Sequence, residues 1–441
     1  RAVTGRVGAA AAGAVRVAGG AGGGVARRAP ATASWRAAAA AATHVPGARC
    51  QSTTDESDIV SPLIGLEADQ REFHFLAEEF SRNELAPHAA EWDAKKVFPE
   101  DALRAAAALG FGGVFVREDV GGTGLTRLDG AVIFEALAAG CTSTTAYLTI
   151  HNMCCWMVDT FGSEEQRQQW LPSMVTMDKF SSYCLTEPNA GSDASGLATK
   201  AVRDGDDYVL NGSKAFISGG GRSDVYLIMA RTGGDGPAGV SCFLVENGTK
   251  GLSFGAQERK LGWNTQPTAM VILEDVRVPA SNLIGGEGNG FKIAMRGLDG
   301  GRLSIGTCSV GAASACFHHA REHVTVRQQF GKPLSANQHI QFKLADMATD
   351  LQTSRMMVRQ GARLLDAKHD NARAFCAMAK RVATDLCFGV CNDALQLHGG
   401  YGYLMDYPIE RYLRDVRVHQ ILEGTNEIMR LILSRELLKN T

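Results

Sequence analysis

Tyr183-Cys-Leu-Thr-Glu187-Pro-Asn-Ala-Gly191-Ser-Asp193 divides the chain in two. Before it, apolar residues keep a helical period. After it, they fall into short β-type runs. Small residues and hydroxyls at its centre make a turn whose backbone N–H groups can approach a flat heterocycle or an anion. Taken alone, the turn is no more than a junction loop.

Downstream, the runs 208–210, 214–218, 225–231, 241–246, 252–254 and 269–274 predict strands. Asn211-Gly212 reads as a hairpin turn between the first two. Their close spacing predicts a compact sheet or small barrel over 184–287. Upstream, Phe73, Leu76 and Phe80 form a helical stripe within 65–94, which Pro87 should break. Further helices are expected over 102–109, 128–139, 144–161 and 164–174. Beyond Gly290 four long candidates follow, at 291–324, 337–365, 372–397 and 426–438, and these suit a bundle. The expected fold class is therefore mainly α with a β middle domain. It has an N-terminal helical domain (55–183), a sheet domain (184–287) and a C-terminal four-helix bundle (288–441). Strands and helices do not alternate, no P-loop is present, and no G-x-G-x-x-G follows a strand, which argues against a doubly wound nucleotide fold.

Residues 1–54 hold seven arginines, no lysine and no acid, among many Ala and Gly. That is the composition of a mitochondrial transit peptide, with cleavage expected between Arg49 and Asp55. The alternative is a basic tail that binds nucleic acid. Losing those seven arginines takes the formal charge from −2 to −9, which argues against nucleic acid as a partner. No run of about 18 apolar residues exists, so no membrane insertion is expected. Eleven cysteines are scattered without metal-ligand spacing, so buried free thiols and no metal site are expected.

Near the C-terminus, Gln420-Ile-Leu-Glu423-Gly424-Thr425-Asn426-Glu427 sets a lone carboxylate before a glycine in an apolar run. Thr425 or Asn426 would cap the following helix. Desolvation makes such a carboxylate a stronger base; the alternative is a surface glutamate. Gln396-Leu-His-Gly399-Gly400-Tyr401-Gly402 closes a bundle helix, and by itself is ordinary helix termination.

Together these stretches resemble the acyl-CoA dehydrogenase family. Residues 184–196 match one of its two signature stretches, and Gln396 through Gly399, Gly400, Gly402, Asp406 and Arg411 to Asp415 match the other. The resemblance covers about 58–440. Stretches 134–147, 150–153, 262–268 and 418–424 resemble its isobutyryl-CoA branch. Glu423 stands where the short- and medium-chain members carry the catalytic base. Some relatives carry it instead just before the arginine of Leu298-Asp299-Gly300-Gly301-Arg302; this chain has Gly301 there.

The resemblance implies FAD as cofactor. Tyr183, Cys184, Leu185, Thr186, Gly191 and Ser192 would support its ring, with Phe216, Ile217 and Ser218 on a strand. Arg327 would meet the diphosphate across a subunit interface, where a guanidinium suits the anion. Asn337, Gln338, Gln396, Leu397, His398, Gly399 and Gly400 would embrace the nucleotide. Thr425, Asn426 and Glu427 would bring helix N-terminal amides to it. Ser192, Asp299, Gly300, Gly301 and Arg302 look like contacts to the thioester and CoA, and Arg435 is a further substrate candidate.

The implied reaction is α,β-dehydrogenation of isobutyryl-CoA to methacrylyl-CoA in valine breakdown. Electrons would pass to electron-transferring flavoprotein, in a mitochondrial-matrix homotetramer built as a dimer of dimers. Alternatives are 2-methylbutyryl- or butyryl-CoA as substrate, an acyl-CoA oxidase, or a non-catalytic assembly factor. A methyl group discriminates substrates by only ~1–3 kcal/mol, so rates over four short acyl-CoAs would separate the first. Peroxide formed in air, or absence of turnover, would mark the other two.

Overall fold

The computed structural model describes residues 57–439; the leader reading lies outside them. Helix α1 (Ala68–Phe80) buries Phe73, Ala77 and Phe80. It widens into a π turn over Ser81–Leu85. Pro87 then separates it from α2 (Ala89–Lys95), since proline has no N–H to continue the ladder. Next come α3 (Glu100–Ala108), α4 (Arg127–Gly140), α5 (Thr142–Phe161) and α6 (Glu164–Val175). Thr126 and Asp129 form a reciprocal capping box that starts α4. Helices α4 and α5 are buried on most sides, as their all-round apolar sequence requires.

The middle of the chain forms β1 (Ser181–Cys184), β2 (Lys200–Asp204), β3 (Asp207–Ser218), β4 (Val225–Arg231), β5 (Val240–Glu246), β6 (Leu252–Phe254), β7 (Thr268–Pro279) and β8 (Leu283–Ile284). They make one eight-stranded sheet in the order β6-β7-β3-β2-β4-β5-β8, with β1 parallel to β4. One expectation is corrected. Asn211-Gly212 is not a hairpin turn but an irregularity inside the single long strand β3. There Gly212 has φ +148°, and a side chain would run into Thr199. The chain reverses earlier, at Gly205-Asp206, so that Asp204 faces Asp207.

The C-terminal part holds α7 (Gly290–Val326), α8 (Gln338–Asp366), α9 (Ala372–His398), α10 (Ile409–Arg417) and α11 (Asn426–Leu437). A two-residue ribbon, β9 (Gln328–Gln329) with β10 (Lys332–Pro333), joins α7 to α8. Val310, Phe317, Leu351, Val358, Cys387, Val390 and Tyr412 pack into one core that also takes Leu128 of α4. Helix α11 lies outside that core, with Met429 and Ile432 against Ala377 of α9. Helix α10, nine residues long and starting directly after Pro408, is not among the expected helices.

A buried ion cluster ties the helical layers together. Glu135 of α4 accepts from Arg355 at 2.7 Å and from Arg359 at 3.4 Å, both on α8. The same arginines donate to the carbonyls of Val60, Pro62 and Ile64. The ten described cysteines are buried and unpaired. Among the described residues no His, Cys, Asp and Glu cluster could hold a metal, and no helix is long and apolar enough to cross a membrane.

Candidate active site

Glu423 sits between a 3-10 turn (Val418–Gln420) and α11. Its φ is +57°, a conformation rare for a residue with a side chain, and Gly424 follows at +86°. Two cations hold this strained turn. Arg302 Nε donates to the Glu423 carbonyl at 3.3 Å. Lys380 Nζ donates to the Gly424 carbonyl at 2.9 Å and to Asn426 Oδ1 at 2.8 Å. Thr425 then caps α11 by accepting from Ile428 N. Backbone strain of this kind persists where the surroundings over-determine it, and it clusters at functional sites.

The carboxylate itself is left unpaired. Glu423 Oε2 is buried with no partner among the described residues. Burial lifts the group to about 7, against the opposing pull of Arg302 and Lys380. An acid poised near neutrality in a dry site is suited to taking a proton. Tyr183, whose hydroxyl is also buried and unpartnered, is close enough to feel the Glu423 charge. Asp299 accepts from Arg302 Nη1 at 2.6 Å and fixes that guanidinium.

Gly301, on α7, faces the carboxylate. A methyl group built on it would stand 2.7 Å from the Glu423 carboxyl carbon and overlap Oε2. Gly301→Ala is therefore expected to swing Glu423 aside. Displacement by about 1 Å costs ~10²-fold, so kcat/KM should fall by that order while flavin content stays normal. Steady-state kinetics on flavin-matched samples test this, and an unchanged rate would remove the contact.

The junction stretch and the end of β3 are stitched into one platform. Ala215 N donates to the Thr186 carbonyl at 2.8 Å. Ser182 Oγ donates to the Ser218 carbonyl at 2.6 Å. Beneath them Lys214 Nζ reaches Glu187 Oε1 at 2.7 Å and the Leu185 carbonyl at 3.2 Å. Glu187 also accepts from the amides of Ala198 and Thr199. Cys184 and Ile217 lie beneath, in the core. Phe216, on the bulge, has φ +58° and is 69% exposed. An aromatic ring held out by strained backbone offers a flat surface to something else.

Other candidates lie elsewhere. Arg327, Gln396, Leu397, His398, Gly399 and Gly400 line a cavity of about 680 Å³, together with His323, Lys343 and Tyr401. None of the residues around Glu423 lines it. Asn337 and Gln338 start α8 beside Leu334, which does line it. Gly191 and Ser192 lie in an exposed turn. Asn426 is buried and bridges Lys380, Thr384 and Asp385. Glu427 is exposed and pairs loosely with Arg430, and Arg435 is exposed on α11; neither is brought to the carboxylate. Lys380, Lys214, His323 and Lys343 went unnoticed in the sequence. The only signal for Lys214 and Lys380 was a lysine inside an otherwise apolar stripe.

Known proteins resemble this chain over most of its length. The chain matches the family models "Acyl-CoA dehydrogenase, N-terminal domain" over 67–178, "middle domain" over 182–276 and "C-terminal domain" over 288–438. It is 59% identical over 380 residues to mitochondrial isobutyryl-CoA dehydrogenase of Bos taurus, covering 86% of this chain and 91% of that one. Identity is also 59% to the enzyme of that name from Dictyostelium discoideum, over 87% of this chain and 92% of the relative. Butyryl-CoA dehydrogenase from Megasphaera elsdenii superposes with a TM-score of 0.82 at 38% identity, over 85% of this chain and 99% of that structure.

Proposed function

The chain belongs to the acyl-CoA dehydrogenase family, and from that premise we propose that it oxidises isobutyryl-CoA to methacrylyl-CoA, with Glu423 as the base. The observation that carries the role is the unpaired, buried Glu423 Oε2 on a turn clamped by Arg302 and Lys380. The 59% identity to two isobutyryl-CoA dehydrogenases supports the substrate.

The residues present fit FAD. Phe216 offers an exposed ring face, Tyr183 an unpartnered hydroxyl, and the remote cavity the cation Arg327 for a diphosphate, Lys343 there being paired with Asp393 at 3.0 Å. FAD, when bound, supplies the acceptor for the hydride that leaves the β-carbon. The chain's own part is alignment and proton removal. Glu423 takes the α-proton on Oε2. Its backbone N–H has no acceptor among the described residues, so it is free to hold the thioester oxygen as charge develops there. Tyr183 and the apolar residues behind it exclude water, which keeps the carboxylate basic.

Nucleotide-binding candidates in a cavity separate from the carboxylate support a cofactor shared between two subunits. Exposed Phe330, Tyr403 and Met405 follow the cavity-lining stretches and support burial by a second copy. We read the assembly as a homotetramer, a dimer of dimers, and the units as 55–183, 184–287 and 288–441. Electron-transferring flavoprotein is the family's acceptor, and the mitochondrial relatives put the reaction in the mitochondrion, in our reading in its matrix.

Titration of the yellow protein with isobutyryl-CoA under nitrogen tests the reading. Bleaching at about one equivalent per subunit is expected, and no bleaching with any short acyl-CoA would end it. The pH dependence follows from Glu423. Only the carboxylate accepts a proton, so kcat/KM should rise as pH rises through about 7. A profile flat from pH 6 to 8 would show that this group does not titrate in the free enzyme.

A further inference from the structure

Arg127, the first residue of α4, has no assigned part in the reaction. Its guanidinium carbon lies 4.0 Å from the centre of the Phe115 ring and 4.7 Å from that of Trp156. Aromatic faces hold the cation, and they leave its in-plane N–H groups for an acceptor. Among the described residues those groups have no hydrogen bond and no ion pair. Asp366 faces Arg127, but its oxygens accept the backbone N–H groups of Arg127 and Leu128 at 2.8 and 3.1 Å. Burial pulls the guanidinium down to about 10 despite that acid. Its nitrogens are not sealed from the surface, so an incoming acceptor can reach them.

Its position says which acceptor. A methyl group built on Gly300 would stand 2.6 Å from Arg127 Nη1 and 2.9 Å from Cζ. Gly301, the next residue, faces the Glu423 carboxyl. The unmet donors and the base therefore flank consecutive positions of one turn of α7, with no side chain at 300 between. We infer that Arg127 is a substrate-binding residue that donates to a pantetheine amide carbonyl close to the thioester. This rests on the reading that residues 299–302 contact the thioester and CoA beside Glu423. Carbonyls are the acceptors on that stretch of the substrate, since the CoA phosphates lie at the far end of the arm.

Arg127→Met tests it in the non-turnover Glu423→Gln holoenzyme, with isobutyryl-CoA binding followed by the change in flavin absorbance. A charge-assisted hydrogen bond predicts about 10–100-fold weaker binding. Isobutyryl-pantetheine, which lacks the nucleotide, should weaken by the same factor. With Glu423 intact, KM should rise with kcat nearly unchanged. The thermal midpoint of the unliganded holoenzyme should hold, because methionine keeps the packing on Phe115 and Trp156 and no hydrogen bond is lost; a merely structural arginine would lower it. Arg127→Lys keeps the charge without the fork, should fall in between, and decides the matter if the Met variant does not fold. Unchanged affinity in these variants, or a loss confined to full-length CoA, overturns the assignment. If Glu423→Gln with Arg127 intact fails to bind isobutyryl-CoA, the reading of the site itself has failed.

Discussion

Glu423→Gln is expected to keep its FAD and lose about 10²–10⁴-fold in turnover. Glutamine has the same volume and cannot take the α-proton. The two clamps on the turn, Arg302 and Lys380, grip the carbonyls of residues 423 and 424 rather than the carboxylate. The backbone, and with it the capped start of α11, should therefore survive the change. Stopped-flow reduction by isobutyryl-CoA at matched flavin content measures the loss, and a rate within tenfold of wild type would remove Glu423 from proton abstraction.

The same variant carries a stability signature. The Glu423 carboxyl rises from 4.5 to about 7 on folding, mainly through burial. A raised carboxyl costs stability as pH climbs from the unfolded value through the folded one. At pH 8 the glutamine variant should thus be the more stable protein, by up to about 3 kcal/mol. The gap should close as pH falls through 7 towards 4.5. Thermal midpoints at pH 5 and pH 8 give the comparison.

Lys214→Met should do its damage without touching the base. Lys214 and Glu187 form a buried pair at 2.7 Å, and both side chains are almost wholly enclosed. Burial pushes the Glu187 carboxyl up, but Lys214 and the amides of residues 198 and 199 outweigh it and hold it low. Removing the ammonium strands a charge in the interior, which typically costs ~3–5 kcal/mol. In a protein of this size that is a drop of about 3–5 °C in the midpoint. The pair also joins the 183–186 stretch to the strand carrying Phe216, so flavin content should fall with it. Glu187→Gln combined with Lys214→Met removes both charges and should recover much of the loss. A single variant as stable as wild type would show that this pair is not the clasp.

Much of the architecture was legible because it rests on periodicity. The long helices α7, α8 and α9 begin and end within two residues of the expected bounds, since their stripes are regular and glycines mark the start of α7 and the end of α9. Local signals failed where tertiary contact overrode them. Asn211-Gly212 has the composition of a turn, yet β7 on one side and Thr199 on the other keep β3 running through it. Helix α10 is short, and its apolar stripe was too brief to stand out. The carboxylate could be singled out as a lone acid before a glycine, but its partners could not. Arg302 lies 121 residues away and Lys380 lies 44 from the carbonyl it holds, and no local pattern encodes which distant cation meets which carbonyl.

Gly301 has a consequence for ancestry. The carboxyl group occupies a point in space that a side chain from α7 could reach as readily as one from the turn before α11. The two cannot occupy it together. A lineage that moves its acid from one side to the other therefore trades one for the other: an acid arriving at 301 displaces Glu423 as a methyl group would. Each arrangement should then mark a separate branch of descent.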